Sequence, residues 1–403
     1  MADLLRSRNV TLVLATCTLF GFILGLSQLV VPLYTLTLSD SPLVLAAVVG
    51  IFPLSGVLLS LAMGAISESL GSRAMIVSAF GLMGAGCLVL AVARSWQVVL
   101  VGQFLLGLGD VSFWVPAYAF LSHIAPSGRQ YAVQGLGSAA QQAGTIVGPF
   151  VGGLVAGLAG FPPAFLLGVA LAAAGLVAGT CLNRVGDERG DLPSFMPHLV
   201  TYHRRALGSL VHNRAVLWVI LTHAAILLTW PVMRGSFYLA LLASRGLSSA
   251  DVGTIVAAHL LVGSLAGICL GRLSPGRHMP RLILAIAVLG ALTMGATPLL
   301  HGIPLLAVVA CAGGVIALYL PMLIGFLAEN ADLPERSMGV ALLNLSWAVV
   351  NPTGVFLVGL FVDRVSLPAA FFVTEAAVLV GVGLLWISAE RLGLARIPAP
   401  AAR

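Results

Sequence analysis

The sequence predicts an all-α membrane protein of twelve transmembrane helices in two pseudo-symmetric six-helix bundles, and three observations predict it. Only 8% of the 403 residues are charged while 59% are hydrophobic; a soluble domain carries about 25% charged residues, so most of this surface must face lipid. Apolar segments near the ~20 residues a spanning helix needs fill almost the whole length, at 10–34, 43–66, 74–93, 97–121, 131–159, 164–182, 215–242, 251–270, 282–300, 304–328, 338–362 and 369–389. Finally, features recur at one offset: Gly64 and Gly267 are 203 residues apart, and so are Pro149 and Pro352. Such an echo points to a duplicated six-helix unit, an arrangement that suits halves rocking about a midplane site.

The first segment follows a short polar start holding Arg6 and Arg8. The apolar run Val10 to Tyr34 is too long for the core of a signal peptide and lacks a small-residue cleavage site, so it reads as the first helix. Proline, glycine and charge mark the breaks between segments, as in Ser39-Asp40-Ser41-Pro42 and Gly160-Phe161-Pro162-Pro163. The basic residues are 20 arginines and no lysine. With the N-terminus inside, 16 arginines fall in cytoplasmic segments, Arg94, Arg245 and Arg364 fall outside, and Arg234 lies within a segment. This bias puts both termini in the cytoplasm of a bacterial inner-membrane protein. The one long connection, 183–214, separates an N-terminal bundle, 1–182, from a C-terminal bundle, 215–403. Arginines scattered over short loops form no nucleic-acid patch. The five cysteines are isolated in apolar stretches and read as packing residues, without metal spacing.

The fifth segment carries the sharpest motif: Gly135, then Gly144, Gly148-Pro149 and Gly152-Gly153. Glycines four apart make a flat groove for a second helix backbone, and Pro149 cannot donate a backbone hydrogen bond, so this helix reads as a bent, closely packed pivot or seal. The loop after the second segment runs Gly64, Glu68, Gly71, Arg73. Its glycines allow a tight turn, and Glu68 and Arg73 are placed to contact helix ends across the bundle interface and latch one state. The fourth segment reads Gln103-Phe-Leu-Leu-Gly107-Leu-Gly109-Asp110. Together these motifs resemble those of the major facilitator superfamily, specifically its 12-helix drug–proton antiporters. Two departures stand out: Glu68 replaces the usual Asp, and Gln103 replaces an Arg associated with proton coupling in that group. The resemblance implies the major facilitator fold and an inward-lining role for the first, fourth, seventh and tenth helices.

Ionisable residues inside membrane helices are costly and usually functional. Asp110 lies mid-segment, with Trp114 and Tyr118 following at four-residue intervals on the same face. Arg234 in the seventh segment is flanked by Trp230 and Tyr238 at the same spacing; Glu375 lies in the twelfth, at nearly the depth of Arg234. Asp110 and Glu375 are the candidate proton-coupling residues, since a carboxyl in apolar surroundings holds its proton until water or an arginine stabilises the charge. Arg234 reads as a cavity residue, as a side chain snorkelling to the outer interface, or as a partner of Glu375. Gln28, Tyr34, Gln134, Gln141, His223, Tyr319, Asn344 and Trp347 complete the candidate substrate cavity, although His223, like His259, also reads as a packing histidine. Neutral hydrogen-bonding groups and aromatics with one Asp and one Arg suit an amphipathic organic molecule and not a bare metal ion.

The expected function is proton-coupled export of such a compound by a monomer in the lipid bilayer. Uptake of a metabolite, or export of a metal-chelating natural product, would use the same fold. No cofactor is called for: without lysine there is no Gly-x-x-x-x-Gly-Lys-Ser/Thr loop for ATP. No nucleophile–base pair or metal cluster sits at membrane depth, which argues against an enzyme.

Overall fold

The computed structural model describes residues 7–55, 71–124, 130–183, 213–233, 235–270, 279–330 and 333–391. Its regular elements among these are all helical, as lipid requires, because a helix satisfies its own backbone donors and acceptors. The first six segments become α1 (Arg8–Leu38), α2 (Pro42–Ser55), α3 (Ser72–Val92), α4 (Trp96–Ile124), α5 (Gln130–Ala159) and α6 (Phe161–Thr180). The second six become α7 (Arg214–Ser244), α8 (Ser249–Leu270), α9 (Met279–Ala296), α10 (Gly302–Asn330), α11 (Leu333–Arg364) and α12 (Leu367–Arg391). Among the described residues, 11 of these are long and apolar enough to cross a membrane; α2, described only to Ser55, is the shorter one.

The chain forms two compact units, Met1–Pro197 with Leu242–Ala257, and His198–Leu241 with Ala258–Arg403. Their internal packing repeats. In the first, α1 lies against α5 and α6, and α3 against α4 and α6; in the second, α7 lies against α11 and α12, and α9 against α10 and α12. This repeated set of neighbours is the three-dimensional counterpart of the 203-residue offset. The first unit also takes in the start of α8, because Gly153 of α5 meets Gly253 of α8 nearly backbone to backbone: a Cβ on Gly153 would lie 3.0 Å from the Gly253 Cα.

The seam between α1 and α5 organises the first unit. A Cβ on Gly148 would lie 2.5 Å from the Phe22 carbonyl oxygen and 2.6 Å from the Leu26 amide nitrogen. Gly144 meets the backbone of Thr18 and Phe22, and Gly152 meets Leu26 and Val30. The groove is two-sided: Gly21 and Gly25 of α1 press against the backbone of Gln141 and Thr145. The expected groove is therefore present, and its main occupant is α1. Gly135 takes no part, with nothing within 4 Å of a Cβ there. α5 runs unbroken through Pro149, whose ring packs against Gly25. Behind the seam, the buried Phe113 of α4 stacks on Phe20 of α1 at 4.1 Å and meets Phe80 of α3 edge-on at 5.6 Å.

Two residues expected elsewhere hold this unit together. The Tyr34 ring packs on Phe161 and Phe165 of α6, and its hydroxyl donates to the Ala93 carbonyl beyond the end of α3. Arg73 was expected to reach across the bundle interface; it donates instead to the Thr180 carbonyl at the end of α6, within the first unit. A cation at the unpaired carbonyls of a helix C-terminus is favourable, so Arg73 ties α3 to α6. Gly71, at φ +80°, opens α3 in a conformation that glycine adopts without strain. Gly64 and Glu68 lie outside the described residues.

In the second unit α7 departs from the single helix expected over 215–242. It is helical over Arg214–Leu227, Trp230–Met233 and Ser236–Ser244. Pro231 accounts for the first break: it has no amide for the Leu227 carbonyl, and its ring crowds that carbonyl. Beyond it the Gly235 amide reaches back five residues to the Trp230 carbonyl at 2.8 Å, a wider turn than an α-helix makes. The buried Trp218 anchors α7, its indole N–H donating to the Leu385 carbonyl of α12 at 3.2 Å.

The stabilities of three variants test these contacts. Gly148→Leu forces a side chain into the α1 backbone and is expected to cost about 1–3 kcal/mol or to prevent folding, read as thermal unfolding of the purified protein in detergent. Gly135→Ala should stay within about 0.5 kcal/mol of wild type; equal melting of Gly148→Leu and wild type would remove the seam as an organising contact. Tyr34→Phe strands the Ala93 carbonyl and should cost about 1–3 kcal/mol while leaving ligand affinity unchanged.

Candidate functional site

The first unit gathers five expected site residues on the facing sides of α4 and α5. At 100° per residue, Gln103, Gly107, Asp110, Trp114 and Tyr118 form one stripe along α4. The Trp114 and Tyr118 rings are stacked, with centroids 4.8 Å apart and planes within 13°. The Tyr118 hydroxyl shares a hydrogen bond with the Ser138 hydroxyl at 3.0 Å and donates to Gln141 Oε1 at 3.2 Å, while Gln134 Nε2 donates to the Tyr118 carbonyl at 2.9 Å. Gln134, Ser138 and Gln141 lie four and three residues apart, so α5 turns a polar stripe toward α4. Trp114 is 41% exposed, and Ser138 is exposed beside it. Polar and ionisable groups at membrane depth as a rule face the interior of the bundle or a water-filled cavity rather than lipid.

Asp110 is half-buried in this stripe, and no hydrogen bond or ion pair reaches its carboxylate among the described residues. One turn before it, Gly107 lets α2 approach, with Ser55 and the Phe52 carbonyl filling the space a side chain would take. Two turns before it, Gln103 stands where the resembling antiporters have an arginine; its Oε1 is buried without a partner. Ser138 and Ser55 were not singled out from the sequence. The spacing of Ser138 from Gln134 and Gln141 was a usable signal; the meeting of Ser55 with Gly107 depends on how α2 packs and left none.

The second unit places aromatic pairs along the broken α7. His223 stacks at 6.1 Å on Tyr319 of α10, Trp230 meets Trp347 of α11 edge-on at 4.7 Å, and Tyr238 tilts at 6.3 Å over His259 of α8. The His259 ring nitrogen Nδ1 also bonds the Val309 carbonyl at 3.0 Å. Among the described residues, buried polar atoms without a hydrogen-bond partner concentrate here: Thr222 Oγ1, His223 Nδ1, Ser236 Oγ and Tyr238 Oη on α7, Ser346 Oγ on α11, and both carboxyl oxygens of Glu375 on α12. Glu375 is 3% exposed and lies beside Gly295 of α9, where an added Cβ would meet its side chain at an ordinary 3.5 Å. Most buried polar atoms in native proteins are paired with protein or water, so this group marks the polar part of the second unit's interior.

Other expected residues stand apart. Gln28 is exposed on α1, outside the α4–α5 network. Tyr34 does not line an open space; its ring and hydroxyl are both engaged between α1, α6 and Ala93. Arg234 and the side chain of Asn344 lie outside the described residues.

Residues 12–300 match the family model described as Major Facilitator Superfamily. The Methylenomycin A resistance protein of Bacillus subtilis (strain 168) is 29% identical over 129 residues, a stretch covering 32% of this chain and 28% of that protein. The fold matches solved structures along nearly its whole length. A mutant of the peptide transporter POT superposes with a TM-score of 0.72 at 17% identity, covering 96% of this chain and 95% of that one. A mutant of the nucleoside transporter NupG does so with 0.71 at 12% identity, covering 94% and 99%. The family match over most of the length, with the repeated six-helix packing, identifies a multi-pass membrane transporter and not an enzyme: the chain belongs to the Major Facilitator Superfamily.

Proposed function

We propose that this transporter exports a small amphipathic organic compound across a bacterial inner membrane in exchange for protons, working as a monomer by alternating access with both termini in the cytoplasm. What supports the reading is the carboxyl of Asp110, midway along α4, with no partner among the described residues and on one helix face with Trp114 and Tyr118. A carboxyl that meets no donor or cation in one conformation, and meets water from the other side in another, takes up and releases a proton as its access alternates. Each proton moving down a 100 mV potential supplies about 2.3 kcal/mol, enough to drive a ligand tens-fold uphill. Glu375 serves as a second protonatable site, its two unpartnered oxygens packed beside α9. Resemblance to a methylenomycin resistance protein favours export over uptake. Trp114, Tyr118, Gln134 and Gln141 line the compound's path in the first unit, with His223, Trp230, Tyr319 and Trp347 in the second. The glycines of α5 act as the close-packed element on which the cycle turns.

In proteoliposomes with an imposed pH gradient, Asp110→Asn is expected to reduce proton-coupled flux at least 100-fold (about 2.7 kcal/mol or more) while the protein still folds and inserts. Coupled flux at the wild-type rate would remove Asp110 from the mechanism, and uphill accumulation inside intact cells would reverse the direction. Glu375→Gln, which keeps the side chain's shape but cannot ionise, should fold normally yet shift the pH dependence of flux; an unchanged pH profile would reduce Glu375 to a packing residue.

A further inference from the structure

We propose that the junction of α7 and α11 binds a neutral aromatic carboxamide. The ligand's N–H donates to the Leu228 carbonyl, its C=O accepts from the Asn351 side-chain amide, and its ring lies on the Trp347 indole. This rests on the export reading above and names the class of compound carried. Two contacts seat α11 on the break in α7. Trp347 meets Trp230 edge-on at 4.7 Å, and a Cβ on Gly354 would lie 3.6 Å from the Pro231 ring and 3.7 Å from the Leu228 carbonyl oxygen. Asn351 stands between these contacts, four residues after Trp347 and three before Gly354, so it shares the face of α11 turned to α7. The duplication places it independently. The buried Val10, Val13, Thr16 and Cys17 of α1 are matched by the buried Val216, Val219, Thr222 and His223 of α7, each 206 residues on. By that offset Leu228 corresponds to Phe22, and by the 203-residue offset of Pro149 and Pro352, Asn351 corresponds to Gly148. Gly148 faces the Phe22 carbonyl, so Asn351 faces Leu228.

Unused hydrogen-bonding capacity selects the ligand class. In a continuous helix the Leu228 carbonyl would accept from the Val232 amide. Here that amide donates to the Thr229 carbonyl at 3.0 Å, and among the described residues no backbone amide takes its place. Asn351 is 6% exposed, and no hydrogen bond reaches its side chain among the described residues. The junction therefore offers an acceptor on one helix and an amide donor on the other. A trans amide points its N–H and its C=O opposite ways, as a ligand lying between α7 and α11 requires. An ester of the same shape lacks the N–H and leaves the Leu228 carbonyl unmatched, which is costly in a buried place. The described residues of the junction carry no charge, so an ion would gain no partner there in exchange for its hydration. The aromatic part follows from the indoles. An edge-on contact leaves at least one face of Trp347 uncovered by Trp230, and both side chains are partly exposed, so a ligand ring can stack there. The glycine seam of the first unit has no such place: at the position of Gly148 it brings backbone against backbone, where the second unit sets a side chain.

Benzanilide and phenyl benzoate share one shape and differ in the N–H. Each, radiolabelled, is measured by equilibrium binding to the purified full-length protein in detergent. The wild type is expected to bind benzanilide about tenfold more tightly than the ester, or better. The ester is the more lipophilic, so partition into the detergent works against that preference. Asn351→Leu removes the amide and should weaken benzanilide about tenfold; Asn351→Ala, which adds no bulk, should do the same. Pro231→Ala returns an amide to the break in α7 and should bring the two probes to within about threefold of each other. Monodisperse elution on size exclusion certifies that each variant is folded. Absence of benzanilide binding to the wild type, equal affinity for the two probes, or a preference undiminished in both Asn351→Ala and Pro231→Ala would overturn the carboxamide site. Proton-driven flux of benzanilide in proteoliposomes is read separately. An Asn351-dependent preference without proton-driven flux would count against the export reading while leaving the carboxamide site standing, and proton-driven flux without the preference would do the reverse.

Discussion

The approach of α1 to α5 is the constraint on which the first unit rests. In lipid, helices gain little from hiding apolar surface, because the solvent is itself apolar; they associate by close packing and hydrogen bonding. Gly144, Gly148 and Gly152 on one side, and Gly21 and Gly25 on the other, bring two backbones together along a seam of several turns. That closeness fixes the rotation of α5 about its own axis. Once the glycine face turns to α1, Gln134, Ser138 and Gln141 face α4, and the polar stripe beside Trp114 and Tyr118 follows. The packing motif and the polar stripe are thus two faces of one helix, each defining where the other points.

The same logic explains the division of labour along α4. Phe113 turns into the aromatic core with Phe20 and Phe80, while its neighbour Trp114, 100° further round, faces out beside Asp110. A carboxyl at membrane depth is tolerated because the core face is held by rings and by Gly109 packing on α3, which leaves the opposite stripe free to remain polar. Gly107 adds a further restriction: Ser55 and the Phe52 carbonyl press against it, so α2 packs on α4 one turn before Asp110.

Much of this was legible in the sequence, and the parts that were not share a cause. Segment positions, the duplication and the glycine groove follow from composition and spacing, which are local properties. The four-residue rhythm of Asp110, Trp114 and Tyr118 gave one helix face correctly, because periodicity within a helix survives any tertiary arrangement. Partners were harder. Arg73 read as a bridge between bundles and instead holds the end of α6; Tyr34 read as a cavity residue and instead bonds the Ala93 carbonyl. Both depend on which helix packs beside which, and no spacing encodes that. The break in α7 was readable in part: Pro231 was visible, but prolines 32, 116, 149, 321 and 352 sit in helices that stay continuous. What separates Pro231 from them is the turn around Gly235 that follows it.

The two units repeat the same packing yet differ in how their polar groups are satisfied, and this contrast bears on mechanism. In the first unit the Tyr118 network is closed by Ser138, Gln141 and Gln134, and Gln103 alone contributes a buried unpaired oxygen among the described residues. In the second, Thr222, His223, Ser236 and Tyr238 all leave buried atoms unpaired along one interrupted helix. Buried polar groups generally find a partner in protein or water, so these side chains mark where the interior of the second unit is most polar. The two frames pack alike, yet the interior polar groups of the first lie along the continuous α4 and α5 and those of the second lie mostly along the interrupted α7.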